Sequence, residues 1–502
     1  MSPLNPKIYQ WLIGCFAAIG SFTFGYDLVR QTRGVISEIL PALQGIPGFS
    51  PDPTVEGVIV SLLSVGAFVG AMFASYLSDG IGRRGTILAA TVFFCFGAAL
   101  QCGSRNNSFL MGGRFVTGIG IGIYCMIVPL YQAEIAHPSV RGYLTSLQQL
   151  FLGIGGLCSS WIGYGCYTAL TGEMRFRLPL GLQIVPAAVL GAFIYLFPES
   201  PRYLMQKDRE DLALRNLAQL HAHGDEQDPV VLAQIAEIRD HLVEARSKTK
   251  SSWKQLIKTK SNRRRLLIGM TMQAATQFTG GSAISYYIPE IFTLMGFTTQ
   301  RSLLIQSIGN IIALLGEISC MLLVDKLGRR WPLILGSIVM SITFIVGSIL
   351  IVRFPATNPN TSAHWGFTVT TWVFSFVYAA TAGSISWIYP SEIFSNHGRG
   401  KAVAVTTMTS FAFSTFVSQV TPIALVNIGW RYYILYIVCN LCNAFVFWAF
   451  FPETSGVPLE EMDTLFGNSP IFVPMTKTPV EELPGMNELK ERTEKLEDTT
   501  HV

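Results

Sequence analysis

Between Ile8 and Phe451 the chain carries about twelve apolar stretches, each long enough to cross a bilayer as a helix, and this feature narrows the possible folds more than any other. A hydrocarbon core about 30 Å thick needs roughly 20 apolar residues per helical span. No water reaches that core, so a spanning segment must satisfy its own backbone N–H and C=O groups. The expected fold is therefore an all-α membrane protein. The spans begin near Ile8, Val55, Thr86, Phe109, Leu144, Leu178, Leu266, Ser302, Leu333, Trp365, Ala402 and Trp430. Only 14% of the residues are charged, against about 25% in an ordinary soluble domain. Lipid is the expected partner of most of the surface, and a net charge of +4 gives no reason to expect nucleic acid. Cysteines such as Cys15, Cys95, Cys125 and Cys320 fall singly inside apolar spans, and the pair Cys439 and Cys442 has no second ligand pair, so packing is their expected role and no metal is expected. The first apolar run lacks a basic leader and a small-residue cleavage site, and is expected to serve as its own insertion signal.

Basic residues set the expected orientation. If the spans alternate, Arg83, Arg84, Arg141, Lys326, Arg329, Arg330, Arg399 and Lys401 fall on one side, together with a polar segment between the sixth and seventh spans. That side is expected to be cytoplasmic and to hold both termini, in a multi-pass protein of the plasma membrane. The sequons at Asn106 and Asn360 land on the opposite side and are glycosylation candidates. The expected division is an N-terminal six-helix half over 1–200, a linker with short amphipathic helices over 201–265, a C-terminal six-helix half over 266–452, and a largely disordered cytoplasmic tail over 453–502.

Three short charged motifs occur twice, in the same order. Ser78–Arg84 (SDGIGRR) recurs as Val324–Arg330 (VDKLGRR). Tyr131, Glu134, Ile135, Arg141 and Gly142 recur as Tyr389, Glu392, Ile393, Arg399 and Gly400 with identical spacing, and Phe197-Pro198-Glu199 recurs as Phe451-Pro452-Glu453. The separations of the paired acids Asp79/Asp325, Glu134/Glu392 and Glu199/Glu453 are 246, 258 and 254 residues, so the register hardly drifts and one half duplicates the other. The charges lie at expected cytoplasmic helix ends, where Arg makes bidentate pairs with Asp or Glu of neighbouring helices. Asp79, Arg83, Arg84, Glu134, Arg141 and Glu199, with Asp325, Arg329, Arg330, Glu392, Arg399 and Glu453, are thus a candidate cytoplasmic gate, made of pairs that form in one state and break in another. Topology-setting basic loops would explain one copy, but not acid and base at matched offsets in both.

With these motifs the chain resembles the sugar porter family of the major facilitator superfamily, of the fungal monosaccharide-transporter type. The likeness runs from Phe24-Gly25-Tyr26-Asp27, through Gly113–Gly118 (GRFVTG) and Pro198–Leu204 (PESPRYL, close to the family's PESPRWL), to Pro452-Glu453-Thr454. It implies the major facilitator fold: about twelve transmembrane helices in two pseudo-symmetric six-helix halves, with a solute site near the midplane between them. It also implies a secondary active transporter rather than an enzyme, with a monomer as the expected working unit.

A carboxylate inside a span is costly and marks function by default. Asp27 is one. Desolvation disfavours its charged form and a nearby guanidinium favours it, so a pair with Arg114, at the start of the fourth span, can take up a proton in one conformation and release it in another. In the family an acid at this position goes with proton symport, and an amide with facilitated diffusion. The resemblance therefore implies symport, with the proton as coupling ion and no other cofactor. Directly afterwards Val29-Arg30-Gln31-Thr32-Arg33 stand as five extra residues relative to the family pattern. They would turn the rest of a continuous helix by about 140°. They are either a true insertion or the trace of a misplaced splice junction, which the transcript sequence decides.

The resemblance assigns solute contacts to spans five, seven, ten and eleven. Gln149, beside Gln148, matches the family's sugar-binding glutamine. In span seven Gln277 and Tyr286 are kept, while Thr276 and Ser282 replace an amide each. In span ten Gly383 and Trp387 are kept, with Ala382 and Ser384 where the family has Trp and Pro. In span eleven Ser410, Phe411 and Ser414 stand where it has an amide, Trp and Asn. Long amides suit sugars because each offers a donor and an acceptor to a hydroxyl pair. Their loss enlarges the cavity, shortens hydrogen-bond reach and weighs against a standard hexose. The expected cargo is a sugar or a sugar-like polyol, acid or glycoside, moved by proton symport. A uniporter or exporter of a non-hexose metabolite and a non-transporting nutrient sensor on the same fold are the alternatives.

Overall fold

The computed structural model describes residues 6–30, 53–136, 141–247, 259–293, 295–355, 360–394, 399–455, 462–468 and 470–473. Among them every regular element is a helix. In the N-terminal half these are α1 (Pro6–Ala17), α2 (Ile19–Arg30), α3 (Pro53–Cys102), α4 (Asn107–Ile135), α5 (Arg141–Ala169), α6 (Met174–Leu182) and α7 (Ile184–Phe193). Three shorter helices follow: α8 (Pro201–Gln206), α9 (Glu210–His221) and α10 (Pro229–Ser247). The C-terminal half holds α11 (Lys260–Gln277), α12 (Gly281–Thr293), α13 (Thr299–Leu327), α14 (Arg330–Arg353), α15 (Thr361–Tyr378), α16 (Ser384–Ile393), α17 (Arg399–Ile428) and α18 (Tyr432–Phe450), followed by α19 (Met462–Asn468).

Seven stretches of the described residues are long and apolar enough to cross a membrane unaided. Two of them, Gly57–Cys102 and Gly400–Phe450, measure 46 and 51 residues. Each is about twice what the hydrocarbon core needs, and so holds two spans. The first turns back at Gly82, whose φ of 83° is open only to a residue without a side chain. Packing against α4 proves the reversal. Before the turn Leu63 and Ala67 meet Gly118 and Gly122, so the strands of contact rise together; after it Ala90 and Gln101 meet Gly120 and Gly113, in opposite order. The second stretch is divided by the 3₁₀ turn Gly429–Arg431. The spans α5, α11–α12 and α15–α16 complete the twelve. They are less apolar because they carry the polar residues of the cavity described below.

Close backbone approach binds the N-terminal half. A Cβ on Gly66 would stand 2.1 Å from the Phe115 carbonyl oxygen, and one on Gly118 would stand 2.2 Å from that of Leu63. Gly118→Val is therefore expected to force α3 and α4 apart, at a cost of about 1–3 kcal/mol or more from overpacking alone. A fall in the Tm of the purified protein checks this, and an unchanged Tm would contradict the packing.

Apolar side chains collect in two main clusters, one centred in each half. Contact between the halves runs chiefly through α3 with α17 and α5 with α13, two seams that the repeat relates to each other. Ser64 and Ser414 share a hydrogen bond of 3.1 Å across the first of these seams, and Ser61 donates to Gln419 at 3.2 Å. The helices α8–α10 form a small cluster around Leu204, Leu217 and Ile235. Gln10 ties them to α1 by donating to the Leu220 carbonyl at 2.9 Å.

Part of the segment expected to be disordered is helical. Met462, Leu465 and Phe466 of α19 are buried, Arg264 donates to the Pro470 carbonyl at 2.7 Å, and the Arg265 guanidinium lies 5.3 Å from the Phe466 ring centre. Three apolar anchors within five residues supply the burial that holds this helix.

Candidate functional site

The duplicated motifs build the same structure twice on the basic face. Arg83 grips Glu134 with two parallel bonds, Nε to Oε2 at 2.7 Å and Nη2 to Oε1 at 2.8 Å. Arg329 grips Glu392 in the same way, at 3.2 and 2.7 Å. Glu199 accepts the backbone N–H groups of Arg83 and Arg84 at 3.1 and 3.3 Å, and Glu453 accepts those of Arg329 and Arg330 at 2.9 and 3.0 Å. These carboxylates cap the helices that begin there, where orphan N–H groups and the helix dipole favour a negative charge. Gly82 and Gly328 make room: a Cβ on either would sit 2.6 or 2.5 Å from the capping carboxylate. Tyr131 donates to the Pro198 carbonyl at 2.6 Å, and Tyr389 to that of Pro452 at 2.9 Å. Arg84 reaches the Phe197 carbonyl at 2.8 Å, and Arg330 reaches that of Trp448.

All these contacts join elements of one half. Each copy fastens three places in the chain into a single body: the turn after the second or eighth span, the end of the fourth or tenth, and the end of the sixth or twelfth. Asp79 is exposed. The side chains of Arg141, Asp325 and Arg399 lie outside the described residues, as do residues 31–33 and the side chains of Val29 and Arg30. Asn106 and Asn360 are exposed and cap α4 and α15 through their side-chain oxygens.

Asp27 and Arg114 meet inside the N-terminal half. Asp27 is fully buried, Arg114 is 2% exposed, and Oδ1 lies 3.6 Å from Nη1, an ion pair longer than a hydrogen bond. Neither residue lines the central cavity, but the helical neighbours Phe24, Gly25 and Leu28 do. The pair thus sits behind the cavity wall, to one side of the α2 face that lines it.

The cavity measures about 200 Å³ and lies between the halves. Of the expected solute contacts, Gln149, Thr276, Gln277, Ser282, Gly383, Trp387, Ser410, Phe411 and Ser414 line it. Gln148 does not. It is buried outside the cavity lining, about 100° round the helix from Gln149. The Tyr286 side chain lies outside the described residues. Gln277 organises one wall: Nε2 donates to Ser410 Oγ at 3.1 Å, and Oε1 accepts from Ser282 at 2.5 Å, joining α11, α12 and α17. Thr276 spends its hydroxyl on the Met272 carbonyl of its own helix at 2.9 Å. A π-helical turn, Ala379–Gly383, separates α15 from α16 and brings Gly383 and Trp387 to the cavity; such turns recur at functional sites.

Among the polar lining residues that the sequence does not single out are Gln273, Gln306, Asn310 and Glu317. Gln273 donates to the Ser386 carbonyl at 2.7 Å and so fastens α11 to α16. The other three occupy one face of α13, at i, i+4 and i+11. The signal available for them was an acid and two amides at helical spacing inside an otherwise apolar span.

The Sugar (and other) transporter family matches this chain over residues 13–466. Among its relatives, the MFS-type transporter criB of Aspergillus cristatus is 33% identical over 454 residues, which are 90% of this chain and 92% of that one. A high-affinity glucose transporter of Kluyveromyces lactis is 30% identical over 478 residues, 92% of this chain and 86% of its own. Among solved structures, the proton:xylose symporter XylE bound to 6-bromo-6-deoxy-D-glucose aligns with a TM-score of 0.75 at 24% identity, over 92% of this chain and all of that one.

Proposed function

The chain belongs to the sugar (and other) transporter family, and on that premise we propose that it carries its sugar-like solute together with a proton, across the plasma membrane and with its basic face in the cytoplasm. It is a multi-pass membrane transporter that works by alternating access between two halves. The observation that carries the coupling proposal is the Asp27–Arg114 pair, sealed from solvent one residue behind the cavity wall. Protonation of Asp27 releases its hold on Arg114 and loosens α2 from α4. Deprotonation on the other side of the membrane restores the pair, so one proton accompanies one conformational cycle. The duplicated Arg–Glu clusters support the mechanical part, since they hold each half rigid while the two rock about the α3/α17 and α5/α13 seams.

Uptake by proteoliposomes, with labelled hexoses, pentoses, polyols and sugar acids offered in turn, tests this reading. An inside-alkaline pH gradient is expected to drive at least one of them above its equilibrium level, and a protonophore to abolish the excess. Equilibration without accumulation would leave transport intact and overturn the coupling.

A further inference from the structure

Among the described residues the cavity holds one carboxyl that neither the duplicated clusters nor the coupling pair uses. Glu317, on α13, lines it beside Asn310 and, across the seam, Gln149. Its Oε2 is buried without a hydrogen-bond partner, and so are the Gln149 Nε2 and Asn310 Nδ2 groups. Among the described residues no cation pairs with Glu317. The carboxyl lies against Gly153 of the opposite half, where an added Cβ would stand 1.9 Å from Oε2. A carboxylate kept from water with no cation at hand is expensive. Other buried acids of this chain meet that cost within the protein, Asp27 through Arg114, Glu134 through Arg83, and Glu199 through backbone N–H groups. Glu317 instead faces the space a solute enters.

We propose that Glu317 is a specificity-determining residue and that the cavity is built for a sugar-like solute carrying a basic amino group. The inference rests on the reading of the cargo as sugar-like. The solute's ammonium supplies the cation that the protein withholds, while the amide N–H groups of Gln149 and Asn310 donate to its hydroxyl oxygens. Thr276, with its hydroxyl turned to its own backbone, and the short side chains Ser282 and Ser410 fit this arrangement, because an ionic contact replaces recognition that long amides give to a neutral sugar.

Equilibrium binding to the purified full chain tests the proposal. The probes are D-glucose, 2-amino-2-deoxy-D-glucose and 6-amino-6-deoxy-D-glucose, at a pH where both amines are protonated. At least one amino sugar is expected to bind about tenfold more tightly than glucose, the size of a charge-assisted hydrogen bond. Glu317→Asp is expected to keep the preference, and Glu317→Gln to lose it while raising Tm by relieving an unpaired carboxyl; a merely structural role would lower Tm. Glucose binding as tightly as both amino sugars, or a preference that survives Glu317→Gln, would overturn the proposal alone. Failure of all three probes to bind would overturn the sugar-like reading with it.

Discussion

Asp27→Asn is expected to abolish uphill accumulation of solute while leaving exchange between two solute-loaded compartments in place. The side chain keeps its shape but can no longer take up or release a proton, and it leaves Arg114, 2% exposed, without its carboxylate. Exchange needs the loaded carrier to reorient but no net proton movement, so it survives. Net uphill uptake needs the proton and is lost. Proteoliposomes measured with a pH gradient and in counterflow separate the two. Accumulation that persists in Asp27→Asn would remove this residue from the coupling.

The second large effect is on stability, and it differs between the two copies of the repeat. Arg83→Ala leaves the Glu134 carboxylate, whose side chain is 4% exposed, without either of its guanidinium bonds. Breaking one partner out of a buried pair costs about 3–5 kcal/mol. Glu392 is 22% exposed and also accepts from Thr454 Oγ1 at 2.8 Å, so Arg329→Ala is expected to cost distinctly less. Thermal unfolding in lipid nanodiscs gives the order of the two variants. In the double variant Arg83→Ala/Glu134→Ala part of the loss is expected to return, since no charge is then stranded. Equal losses at the two sites, or a double variant worse than the sum, would contradict the local account.

Much of this architecture could be read from the amino acids because its cause is local. Apolar length demands spans, and the recurrence of Arg83 with Glu134 as Arg329 with Glu392 demands two equivalent halves. Asp27 and Arg114 stood out as charges in apolar surroundings, and the structure brings them together. The partners within the basic clusters were less legible. Motif spacing shows that acid and base coexist, but not that each copy closes within its own half, which depends on where the helix ends converge in space. Gln148 and Gln149 look alike in sequence and are separated only by helical phase. Glu317 belongs to no repeated motif, and its significance comes from the empty space beside it and from Gly153, which lies 164 positions earlier in the chain.

The coupling claim at the centre of this account is tested most directly by recording protons rather than solute. Proteoliposomes holding a trapped pH indicator, with no gradient imposed, are given a transported solute on the outside only. Inward solute movement is expected to acidify the lumen in proportion to the solute that enters, and Asp27→Asn to enter the lumen-acidification assay without signal. Solute entry at the usual rate with the internal pH unchanged would contradict the account.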